Sequence, residues 1–187
     1  MWRILEDLKD EGKLKSLGVS NFRPKDLQAI IDVARYLPVV NQMEFHPYVL
    51  SHLTSLLALQ RTHGIHTAAY ATLAPVLSHP TGGPLKPVLQ RIAARLSATS
   101  TSPVDVSTVL LLWLRAHSII AVIGTHNPDR LKAYASLVGA KKDQGGLTRE
   151  EVGEIDSVGK RVYYRSHREH MTEDFAEPEL SDGSQTA

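Results

Sequence analysis

Cysteine is absent from the 187 residues. That excludes disulfides, thiolate nucleophiles and cysteine-held zinc or iron–sulfur centres, and it fits a reducing compartment. Long apolar runs are absent too. The longest, Val109–Leu114, stops at Arg115, well short of the ~20 residues that cross a bilayer. The N-terminus, beginning Met1-Trp2-Arg3-Ile4, reads as a charged amphipathic helix without a signal-peptide pattern. A soluble, cytoplasmic protein with no membrane partner is therefore expected. Charge of one sign is also missing: 21 basic residues face 20 acidic ones, a formal net charge of +1. The basic residues form no stripe, so nucleic acid is not an expected partner.

What is present is an ordinary globular composition, 42% hydrophobic and 22% charged. Short β-branched runs alternate with stretches of helical period. The runs are Leu14–Val19, Pro38–Phe45, Ile65–Ala71 and Ile119–Ile123. After the first, Pro24 opens a helix whose Leu27, Ile30, Ile31 and Ala34 share a face. After the second comes a helix from about Ser51, a plausible cap, to Thr62. The third leads into a Pro/Gly-rich connection, Leu73–Pro84, then two helices, near Pro87–Leu96 and Pro103–Ala116. Pro128 starts another helix after the fourth. Thr148 and Glu151 form a capping box for one more, up to Lys160. Alternation without hairpin signals predicts an α/β fold of about four parallel strands with right-handed crossovers. The strands are apolar nearly throughout, as when both faces are covered. Residues 1–160 form this unit, and 161–187, polar and irregular, are expected to be a loose, flexible tail.

Active groups on parallel sheets sit where strands end. Here those residues are Ser20 and Asn21, Gln42 and Glu44, Tyr70, and Gly124 and Thr125. Amides and hydroxyls offer donors and acceptors to a neutral carboxamide, and a tyrosine offers a flat face. Asn21 alone is better explained as a helix cap. The strand ends together suit a nicotinamide.

Four motifs stand at these ends, and the first two are specific. Gly12-Lys13 precedes Gly18-Val19-Ser20-Asn21-Phe22, and Asn41-Gln42-Met43-Glu44-Phe45-His46-Pro47 follows. Then come Ala69-Tyr70 with Leu73, and Ile123-Gly124-Thr125 with Arg130. In order and spacing, over most of residues 1–160, they resemble the aldo-keto reductase family. The resemblance implies the second half of a TIM-type (β/α)8 barrel with a C-terminal helix and tail. It implies NADPH-dependent reduction of an aldehyde or ketone, with NAD the lesser alternative. Ser20, Asn21 and Gln42 would bind the carboxamide. Tyr70 would stack on the ring, with Leu73 beside it. Thr125 and Arg130 would hold the adenosine 2′-phosphate. Two departures stand out: Gly124 replaces the family's lysine, and Ala71-Thr72 replace a serine and proline after the stacking tyrosine. The family's tyrosine, lysine, aspartate and histidine, which supply the proton to the alkoxide, have no counterpart in this chain. No catalytic residue is assigned, and the chain alone is expected to be inactive.

Other groups fit a functional role less well. His63 and His66, and His167 and His170, have metal-compatible spacing, but each pair falls short of the usual three or four ligands. Surface or capping histidines are the better account, and no metal site is assigned. A metal-dependent hydrolase rests on these histidines alone. Glu44 and His46 share a strand face and read as a structural pair. Trp113 reads as core. Gly82-Gly83 lack the context of a phosphate loop. The remaining alternative is a non-catalytic, truncated homologue that binds nucleotide or a partner. It could form a homodimer through its open sheet edges.

Overall fold

The computed structural model describes residues 1–100, 103–139, 146–171 and 173–185. Its centre is one four-stranded parallel sheet in the order β1-β2-β3-β4: β1 Gly18–Ser20, β2 Val40–Glu44, β3 His66–Tyr70 and β4 Ile120–Ala121. Ser20, Gln42, Ala68 and Ile120 stand side by side across it. Helix α1 is Trp2–Asp10, α2 Pro24–Ile31 and α3 Leu50–Thr62. Helix α4 is Ala74–Leu77, α5 Leu85–Thr99, α6 Val106–Ala116, α7 Pro128–Gly139 and α8 Arg149–Gly159.

The sheet buries one face. Met43, Phe45 and Ala69 alternate into a core with Leu27, Leu53, Leu56, Leu89, Ile92, Leu110 and Leu114. Phe45 stacks on Trp113 at 5.5 Å between centroids, and Trp113 is fully buried, as its place among leucines predicts. The other face is open at β4, where Ile120 is 51% exposed and Val122 40%, but Glu44 and Ala68 on that face of β2 and β3 are buried. The expectation of strands covered on both sides thus holds for stretches of β2 and β3 and is corrected for the edge strands β1 and β4. The two edge strands, β1 and β4, are the most exposed, despite their apolar runs.

Local signals placed most helix starts well. Pro24 opens α2, and Thr148 Oγ1 accepts from Glu151 N in the expected capping box. Asp105 caps α6 by accepting from Thr108 N at 2.7 Å. Ser51 is not a cap. A 3-10 turn, Pro47–Val49, runs straight into α3, so the helix begins at Leu50 with Val49 as its cap residue. Helix α4 forms inside the Pro/Gly-rich connection, and α5 starts at Leu85, two residues before Pro87. Proline is tolerated in a first turn, where amides lack intrahelical partners.

The stretch after Arg161 departs most from expectation. Val162, Tyr163, Arg165 and Met171 are buried, and Phe175 stacks on His52 at 4.1 Å. Arg23 bonds Glu173 at 3.1 Å, and Lys25 pairs with Asp174. The polar run conceals widely spaced anchors whose charges meet α2, so composition alone suggested a loose tail. Thr172, Thr186 and Ala187 of that tail lie outside the described residues. Among the described residues no helix is long and apolar enough to cross a membrane.

Candidate cofactor site

The end of β1 turns sharply. Asn21 adopts φ 56°, a left-handed conformation that asparagine tolerates better than most residues. Its amide N–H donates to Gln42 O at 2.8 Å, and Ser20 Oγ donates to the same carbonyl at 3.0 Å. The kink is tied down from below by Asn41. That side chain is fully buried, accepts from Phe22 N at 3.3 Å, and donates to Phe22 O at 2.9 Å and Gln60 Oε1 at 3.0 Å. The strand period of two then decides the roles of neighbours. Asn41 points into the core and holds the turn, while Gln42 points to the open face between Ser20 and Ala68.

Two strands away, Tyr70 ends β3, and its hydroxyl donates to Asn21 Oδ1 at 2.9 Å. This contact joins the ends of β1 and β3. Burial and the neighbouring Glu44 carboxylate push the Tyr70 hydroxyl pKa up, so it stays a neutral donor. The Gln42 amide makes no hydrogen bond to a described residue and stays half-buried beside this pair. Ser20, Asn21, Gln42 and Tyr70 are therefore brought together, as their strand-end positions predict. The next residue, Ala71, is also left-handed at φ 52°, which turns the chain away after the tyrosine.

The other expected residues lie apart. Leu73 precedes α4, and its side chain packs against the hydrophobic core. Thr125 and Arg130 follow β4. Thr125 Oγ1 accepts from Asn127 N at 3.1 Å, and Asn127 Oδ1 accepts from Asp129 N at 2.9 Å and Arg130 N at 3.2 Å. Asn127 thus prepares the start of α7, a side-chain turn that its position before Pro128 could have signalled. Arg130 is exposed, and no contact links it or Thr125 to Asn21 or Tyr70.

Behind the shelf lies a buried polar cluster. Glu44, paired in register with Tyr70, is fully buried. His46 Nε2 meets its carboxylate at 3.1 Å, as the shared strand face predicts, and Arg165 Nη1 donates at 3.4 Å. Ser166 N donates at 2.6 Å and His167 N at 3.1 Å. Burial pushes the Glu44 carboxyl up. The His46 hydrogen bond, the Ser166 amide and the Arg165 cation outweigh that and hold it well below the usual range. Burial lowers His46, so it serves as a neutral donor. Arg165 also donates to His52 Nδ1 at 3.3 Å, and burial keeps His52 low as well. The ring of His167 stands at 87° to that of Tyr70, with centroids 5.4 Å apart. Arg165 went unrecognised in the sequence, and His167 was read only as a surface or capping histidine, because their segment carries no strand or helix period. Among the described residues no three His, Asp or Glu gather as metal ligands.

The profile of the aldo/keto reductase family matches residues 1–160. An NAD/NADP-dependent indole-3-acetaldehyde reductase of Schizosaccharomyces pombe is 26% identical over 172 residues, which are 92% of this chain and 56% of the relative. An NAD(P)H-dependent pentose reductase of Pyricularia oryzae is 33% identical over 166 residues, 84% of this chain and 48% of the relative. The crystal structure of an aldo/keto reductase from Brucella melitensis superposes with a TM-score of 0.66 at 28% identity, covering 84% of this chain and 53% of that one. The chain spans about half the length of the curated relatives it matches. Four strand-end motifs in order, the meeting of the first three around Tyr70 and Asn21, and the profile match lead to one conclusion: this chain belongs to the aldo/keto reductase family.

Proposed function

We propose that this chain is the nicotinamide-binding half of an NADP-dependent carbonyl reductase, its four βα units corresponding to the second half of an eight-unit barrel. The reading rests on one observation above others: the Tyr70–Asn21 hydrogen bond of 2.9 Å, with the Gln42 amide beside it, which no described residue hydrogen-bonds. A carboxamide needs both a donor and an acceptor, and Asn21 and Gln42 offer both next to a flat ring. The residues fit the cofactor. Asn21, Gln42 and Ser20 would hold the carboxamide, Tyr70 would set the face of the ring, and Thr125 and Arg130 would take the adenosine phosphate. Leu73 would contribute backbone, since its side chain is committed to the core. The bound cofactor supplies hydride to an aldehyde or ketone. The protein must also supply a proton to the developing alkoxide, and these 187 residues offer no counterpart of the family's acid. Cytoplasmic placement belongs to this reading too, on the ground of a cysteine-free chain.

The test is direct. Titrating the chain with NADPH should raise cofactor fluorescence with saturation, and Tyr70→Ala should weaken binding by about tenfold, the loss of one stacking contact. Adding a reactive aldehyde should leave the reduced cofactor's absorbance unchanged. Steady oxidation would contradict the missing acid, and failure to bind would remove the shelf. A second reading, a non-catalytic protein acting through self-association, is favoured by the exposed Ile120, Val122 and Ile123 beside the free β4 edge.

A further inference from the structure

A buried carboxylate is costly unless every lone pair is satisfied. Glu44 meets that condition with four donors, two of them backbone amides from a segment more than a hundred residues away. Such a cluster could simply fasten the C-terminal segment. The register says more. Glu44 and Tyr70 are strand partners, and the amide Glu44 holds belongs to His167, whose ring stands against Tyr70. Tyr70 is therefore fixed at two points: its hydroxyl by Asn21 and its ring by His167. We propose that Glu44 is a positioning residue: by holding the backbone of Ser166 and His167, it sets His167 against Tyr70 and fixes the plane on which the cofactor ring stacks. His167 is exposed, and its ring meets the shelf at Tyr70. This inference rests on the nicotinamide-shelf reading and gives that shelf its rigidity.

A double-mutant cycle on NADPH affinity in the 187-residue chain tests it. Glu44→Gln and His167→Ala should each weaken binding by about threefold to tenfold, the worth of one aromatic edge contact. Combined, they should weaken it no further than either alone, because both act through the same ring. His167→Phe keeps a ring and should bind as the unmodified chain does. Additive losses, or a His167→Phe chain as weak as His167→Ala, would overturn the assignment. Glu44→Gln leaves Arg165 a buried cation without its counter-charge, so Glu44→Gln/Arg165→Gln is measured beside it with the same expectation. One readout needs no cofactor. The His167 ring protons should carry an upfield shift from Tyr70 that vanishes in either Glu44 variant. If the unmodified chain binds no NADPH, the shelf reading fails, and the shift decides the clamp alone: persistence in the Glu44 variants refutes it.

Discussion

With Gly124 where the family has lysine, Arg130 is the cation that follows Thr125 most closely in the chain. Its planar fork suits a phosphate, and nothing among the described residues competes for it. Arg130→Ala should therefore cost NADPH about tenfold in affinity and NADH little. Parallel titrations check this, and equal losses would remove the phosphate role. Glu44 makes a different prediction. Its carboxyl falls from an ordinary 4.5 to about 2 in the folded chain. A depressed carboxyl stabilises the fold above its unfolded pKa, and that stability is lost as pH falls toward the folded value. The Tm gap between the unmodified chain and Glu44→Gln should thus be widest above pH 5 and shrink as pH falls toward 2. A gap independent of pH would mean that packing, not charge, sets the cost of the substitution.

Between elements, α8 bears closely on the 3-10 turn at Pro47–Val49. A Cβ on Gly159 would lie 2.6 Å from both Cβ and O of Pro47. Backbone cannot yield as a side chain can. Gly159→Ala should lower Tm by roughly 3–10 °C, the usual cost of overpacking in a chain of this size. Calorimetry showing no change would mean that the helix shifts freely. At this scale the sequence was legible wherever signals are local. Pro24 and the Thr148–Glu151 box mark helix starts because they act on their own backbone. The convergence of Ser20, Asn21, Gln42 and Tyr70 was legible for a related reason: strand ends in a parallel sheet share one edge. The C-terminal segment was not legible. Tyr163, Arg165, His167 and Phe175 find partners on β2, β3 and α3, and no periodicity encodes contacts across such distances. The opening of α3 was legible to within a residue, but its cap was not, because Pro47 starts a 3-10 turn that delivers Leu50 already helical.

In the molecule as a whole, the sheet has two edges that no described residue pairs, and Ile120, Val122 and Ile123 are exposed at and just beyond β4. Unpaired edges and apolar surface seek partners. The chain should self-associate with rising concentration, and Ile120→Lys should shift it toward monomer. Sedimentation showing the unmodified chain monomeric at every concentration would rule this out. The Glu44 cluster has a last consequence, for synthesis on the ribosome. Strand β2 is made 122 residues before Ser166 reaches its carboxylate. At roughly 5–20 residues per second that is a delay on the order of 10 s. Throughout it Glu44 must stay hydrated, so the strand that carries Gln42 can close over its polar side only after the last part of the chain emerges.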